Sequence, residues 1–215
     1  MRLAALACVC ALLAGCAQGG VDIVRDVPPL DRTPAASITA DDFASGSFTA
    51  SDGTVLPYRL LAPASMEPGR RYPLVVQFHG SGAIGSDNRA QIEGDLAARA
   101  WAVPVLRARY PAFVLVPQFP QRSANYDDPA TPTVAYAAPV LQSALELVDA
   151  VAARAPVDPR RIYASGFSMG GSTTLLALLA RPDLFAAAMT MSAIAPSRSE
   201  AARLKTMPLL MLHGA

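Results

Sequence analysis

The serine of Gly166-Phe167-Ser168-Met169-Gly170 sits in a G-x-S-x-G spacing whose flanks give it mechanical meaning. A β-like run, Arg161-Ile162-Tyr163-Ala164-Ser165, precedes it, and a helix-like run, Ser172 to Ala180, follows. A serine at such a junction caps a sharp strand-to-helix turn in strained backbone, with its hydroxyl pushed clear of the sheet edge. Glycines flank it because the strand and helix backbones pass too close for a Cβ. The helix N-terminus beneath the serine offers free N–H groups and a positive dipole end to a developing oxyanion. The bare pentapeptide arises by chance in roughly 7% of chains this long. The alternative, a Gly-rich turn around a buried serine, is therefore weighed against the strand–turn–helix context, and the context favours a nucleophile. Ser168 is the candidate catalytic residue, for acyl transfer, and the Met169 N–H is the first oxyanion donor.

A second donor is expected from the loop after an earlier strand. His79-Gly80-Ser81-Gly82 stands in that place, directly after the near-continuous apolar run Tyr72-Pro73-Leu74-Val75-Val76-Gln77-Phe78. The Ser81 N–H is the candidate, with Gly82 as the alternative, and His79 reads as a residue that orients the loop rather than as a base.

The elements that must position these residues follow from pattern. Gly46 to Ala50 and Thr54 to Leu61 form a strand pair around the turn Ser51-Asp52-Gly53. A helix is expected over Arg89 to Ala100, with Asp87 or Asn88 as its cap, and a buried strand over Phe113 to Val116. Pro117 to Pro132 reads as a loop rich in Pro, Asn and Asp. Between Val134 and Arg154 the period becomes helical, with Ala138, Leu141, Leu145, Val148 and Ala152 on one face. Phe185 to Met191 and Pro208 to Leu212 read as strands, with a short helix over Ser199 to Leu204 between them. Strands alternating with helices after an antiparallel hairpin predict an α/β fold, a mostly parallel sheet covered on both faces.

The 215 residues are 52% hydrophobic and 16% charged, enough for one full-sized core. A formal charge of +1 with no clustered Lys/Arg run argues against a nucleic-acid or acidic-membrane footprint. No group of His, Cys, Asp and Glu has ligand spacing, so no metal or cofactor is expected. Residues 1–15 read as a signal segment: Met1-Arg2, then the apolar Leu3 to Ala14, too short to span a bilayer. Leu13-Ala14-Gly15-Cys16 resembles a bacterial lipobox, which implies lipid attachment at Cys16 and a cell-envelope location by that anchor alone. An ordinary secretory signal is the alternative. Residues 16–42 read as a tether and residues 43–215 as the domain.

The combined motifs resemble the α/β-hydrolase fold. The run Pro73 to Gly82, then Gly85-Ser86-Asp87-Asn88 and Gln91, Pro117-Gln118-Phe119-Pro120, and Val157 to Tyr163 are similar to secreted predicted peptidases and esterases near the dienelactone hydrolase and polyhydroxybutyrate depolymerase groups. The resemblance implies a serine hydrolase of esters or small amides, with the triad in the order Ser, Asp, His and a substrate pocket drawing on the Gln118 to Pro132 loop, where Tyr126 is the aromatic candidate. After Ser168, however, the acids are Asp183 and Glu200 and the histidine is His213. Asp183 reads as a surface residue at a helix stop, Glu200 as a solvated helix residue, and His213 as the end of a strand. The expectation is accordingly a C-terminally truncated hydrolase, with a non-catalytic binding protein or relic of the same fold as its rival.

Overall fold

The computed structural model describes residues 31–214. The signal segment, Cys16 and most of the tether lie outside the described residues. Helix α1 (Thr33–Ala36) and a 3-10 turn (Ala40–Asp42) lead into strand β1 (Ala44–Thr49). Helical structure is therefore present within the stretch 16–42 that reads as a tether, ahead of the expected start near Phe43. The later part of this segment is held by Arg59, whose buried guanidinium donates to the Ala40 and Phe43 carbonyls at 2.9 and 3.1 Å, while Arg99 donates to Ala36 O at the end of α1.

β1 and β2 (Val55–Leu61) form the expected antiparallel hairpin. Its turn is held by Thr54 N–H donating to Asp52 Oδ1 and by Gly53 in the left-handed region at φ 84°. From outside, the Glu146 carboxylate accepts from both Ser51 N–H and Ser51 Oγ–H. β3 (Tyr72–Phe78) is the central strand. Leu74, Val76 and Phe78 enter the core on one face, while Val75 joins Val114 and Val116 on the other.

The expected helix over Arg89 to Ala100 is two helices, α2 (Ala90–Glu93) and α3 (Leu96–Ala100). Asp95 breaks it: Oδ1 caps α3 through Ala97 N–H, and Oδ2 accepts from Gln77 Nε2 on β3 at 2.9 Å. Helix α4 (Pro104–Arg109) and strand β4 (Phe113–Pro117) follow. The loop after β4 contains β5 (Ala124–Tyr126), which pairs antiparallel with β6 (Ala135–Ala137). Helix α5 (Val140–Arg154) consequently starts later than Val134, behind Pro139 at its N-cap. Its expected face holds, with Leu141, Leu145 and Val148 buried.

β7 (Val157–Phe167) runs into α6 (Met169–Ala180), followed by β8 (Ala187–Met191), α7 (Arg198–Ala201) and β9 (Leu209–Leu212). The sheet order is β1-β2-β4-β3-β7-β8-β9, parallel from β4 to β9 and antiparallel at β1 and β2. α5 and α6 pack on one face of this sheet. Residues of α2 and α3 join the core of the other. This is the α/β arrangement the alternation of elements predicts.

Candidate active site

β7 stops at Phe167 and α6 starts at Met169, so Ser168 alone makes the turn. Its φ of 55° and ψ of −119° put a non-glycine residue in a region that costs about 1–3 kcal/mol. Crossing backbones enforce the turn. A Cβ on Gly166 would lie 2.1 Å from the Gly170 carbonyl oxygen, and one on Gly170 would lie 1.9 Å from that of Phe78. Ser168 N–H donates to Met191 O at 2.9 Å, which anchors the elbow to β8. Met169 is buried at the first position of α6, where an N–H has no acceptor within the helix.

The loop after β3 lies against the elbow. A Cβ on Gly80 would come 3.6 Å from the Phe167 ring and 3.8 Å from Ser168 Cβ. Ser81–Ala83 forms a 3-10 turn whose first N–H groups have no partner within it, and Ser81 and Gly82 are exposed. His79 is fully buried and used on both sides. Phe119 N–H can only donate, so His79 Nε2 accepts it at 3.0 Å, leaving Nδ1–H to donate to Gly80 O at 2.7 Å. Burial also pushes the imidazole pKa below its ordinary value, which keeps the ring neutral. His79 therefore orients the loop, as the sequence suggests, and has no nitrogen free to act as base.

The remaining candidates for the acid and base lie elsewhere. Asp183 is exposed and sits 3.7 Å from Arg181. Glu200, expected as a solvated helix residue, is instead half of a capping box on α7: its Oε2 accepts Ser197 N–H at 3.1 Å and Ser197 Oγ–H at 2.6 Å. His213 follows β9, exposed, with Nδ1 beside its neighbour's carbonyl, Gly214 O. β9 pairs with β8, and β8 with the elbow strand, so two interstrand spacings, roughly 10 Å, separate the end of β9 from the elbow. Among the described residues, no histidine or carboxylate is hydrogen-bonded to Ser168. The described residues also hold no group of three or more potential metal ligands.

The loop carrying Tyr126 is tied to the elbow helix: Ser123 Oγ and Thr173 Oγ1 are 2.7 Å apart. Tyr126 is half-buried, with the Arg122 guanidinium 5.3 Å from its ring centre. Three residues shape the site in ways the sequence reading did not assign: it offered Asn88 only as a helix cap and gave Ser192 and Gln118 no contacts of their own. Ser192, at the end of β8, has φ 51° and donates to Leu212 O. Asn88 has φ 56°, and Gln118 is completely buried beside the loop after β3. A resemblance had marked Asn88 and Gln118, but their function depends on contacts distant in sequence.

Comparison with known proteins agrees with the fold. A solved thermostable esterase is 35% identical, with a TM-score of 0.72, over 80% of this chain and 46% of its own. The S-formylglutathione hydrolase of Staphylococcus aureus is 20% identical with a TM-score of 0.53, covering 71% of this chain and 57% of that one. A ferulic acid esterase is 16% identical with a TM-score of 0.51, covering 70% and 59%. These last two show the fold alone. The chain spans about half the length of each of these three structures. No curated protein matches the sequence. Residues 53–207 match the family described as "Putative esterase", and with that much of its length matched the chain belongs to this α/β-hydrolase-fold esterase family.

Proposed function

We propose that this protein is a serine hydrolase of small-molecule esters, working through an acyl-enzyme on Ser168. The observation that carries the reading is the strained φ of Ser168 at a strand–helix junction where crossing backbones leave no room for a Cβ on Gly166 or Gly170. Ser168 Oγ attacks the acyl carbonyl carbon and its proton passes to a general base. The resulting oxyanion is held by the N–H groups of Met169 and Ser81, and the alcohol leaves with a proton. Water then hydrolyses the acyl-serine. The family and the 35%-identical esterase support esters as the substrate class, ahead of the amides and peptides that the sequence left open.

The test pairs p-nitrophenyl acetate turnover with labelling by a fluorophosphonate. Labelling and turnover that vanish in Ser168→Ala support the enzyme. A rival reading, a hydrolase fold retained for binding, is favoured by the absence of a base hydrogen-bonded to Ser168 among the described residues. It predicts a folded protein that is neither labelled nor active. Attachment to the cell envelope through a lipid on Cys16 belongs to the same proposal. Metabolic incorporation of a labelled fatty acid, abolished in Cys16→Ser, supports it, and incorporation that persists contradicts it.

A further inference from the structure

Gln118 is 0% exposed, and its amide reaches into the loop after β3 rather than into the core. Its orientation is forced by its partners. Asn88 N–H can only donate, so Oε1 faces it at 2.6 Å. The Ala83 carbonyl and Asp87 Oδ1 only accept, so Nε2 donates to them at 3.2 and 2.8 Å. The backbone completes the hold: Phe119 N–H donates to His79 Nε2, and Gly85 N–H donates to Phe119 O at 2.9 Å. Two adjacent residues thus grip the loop at His79, Ala83, Gly85, Asp87 and Asn88. Gln118 is itself anchored to β2, through its N–H to Pro57 O at 2.8 Å.

Asn88 extends the grip to the N-terminal hairpin. In its left-handed conformation its carbonyl accepts from Arg59 Nε at 2.7 Å, its Oδ1 from Gln91 Nε2 at 2.6 Å, and its Nδ2 donates to Ser45 Oγ at 2.9 Å. The stretch bearing Ser81 therefore hangs between two fixed points, His79 at one end and the Gln118–Asn88 pair at the other. An oxyanion donor works only if it is fixed before the charge develops, since reorganisation during the reaction forfeits its benefit.

We infer that Gln118 is a positioning residue that holds the loop after β3 in the geometry for oxyanion stabilisation. It acts through the loop and does not touch substrate. This rests on the reading of Ser168 as nucleophile and Ser81 as donor.

The test compares Gln118→Met, which deletes the amide, and Gln118→Glu, which turns an acceptor toward Ala83 O and Asp87, with Glu146→Ala. The last variant cuts the clasp on the hairpin turn, far along the sequence from the loop. Two readouts are taken, amide hydrogen exchange by peptide and steady-state p-nitrophenyl acetate kinetics. In both Gln118 variants, exchange in 79–88 rises about tenfold while α5 and β7 keep wild-type rates. In both, kcat falls about 10- to 100-fold with KM nearly unchanged, approaching the loss of one oxyanion donor. Glu146→Ala changes neither. Should the Gln118 variants fail to fold, Gly85→Ala presses on the same amide, since its Cβ would lie 3.2 Å from Gln118 Nε2, and produces the same local change at smaller size. Wild-type exchange in 79–88, or exchange raised uniformly along the chain, overturns the inference. A wild-type protein that neither turns over nor labels sinks the hydrolase reading instead, and the exchange data alone then decide whether Gln118 holds the loop.

Discussion

The loop after the central strand β3 and the edge strand β9 are built on opposite terms. Around the loop after β3, polar side chains are sealed from water, with His79, Gln91 and Gln118 all at 0% exposure, and the loop is pinned by bonds of fixed direction. At β9 the reverse holds: Leu210, Met211 and Leu212 are 55%, 59% and 47% exposed, and β9 pairs only with β8 among the described strands. Nearby, a trough of about 250 Å³ opens over the sheet between Trp101, Tyr163 and Met189. A buried polar network tolerates one arrangement of partners, because each unmet group costs about 1–3 kcal/mol. An exposed apolar edge imposes no such demand on identity. The proposed nucleophile and the loop with its candidate oxyanion donor therefore lie beside polar partners that leave little freedom of arrangement.

That contrast can be broken or sharpened by mutation. Ser168→Ala should lower ester turnover by ~10^4-fold or more without unfolding the protein, read by activity and circular dichroism together. Gly170→Ala forces a Cβ into the Phe78 carbonyl and should cost more than about 3 kcal/mol in urea unfolding, if the variant folds at all. Arg59→Leu strips partners from Ala40 O, Phe43 O and Asn88 O. About 2–3 kcal/mol should be lost, with the segment before β1 becoming protease-sensitive first. On the edge strand β9, Met211→Lys should shift stability by less than about 0.5 kcal/mol and reduce self-association, as a charge on an exposed edge does. A large loss of stability there would show that the edge is not free.

His79 supplies a pH test of the sealed region. Its folded pKa is depressed, so below the ordinary 6.5 the unfolded chain binds a proton that the folded chain refuses. Stability from this group is fully present above pH 6.5 and falls as pH drops through that value toward the folded pKa. His79→Gln should flatten that part of the stability–pH curve, and an unchanged slope would show that the ring is not held neutral.

The elements legible in the sequence were those set by neighbours along the chain. The β1–β2 turn was marked by Asp52 and Gly53, β3 by an unbroken apolar run, and the elbow by glycines that backbone crossing requires. Missed features depended on partners far away. Asp95 splits a helix because Gln77 takes its second oxygen, and Arg59 pulls in a stretch that composition alone marks as a tether. β6 forms where helical periodicity extended too far back, ahead of Pro139 and after a turn in which Asp127 accepts Thr133 and Val134 N–H groups. Asn88 and Gln118 belonged to recognisable motifs, yet neither motif says which amide faces which carbonyl.

The most direct measurement of the central claim is mass spectrometry of the protein after reaction with a fluorophosphonate. The account predicts one adduct, on the peptide carrying Ser168, and none in Ser168→Ala. A folded wild-type protein with no adduct, or an adduct that survives the substitution, would contradict it.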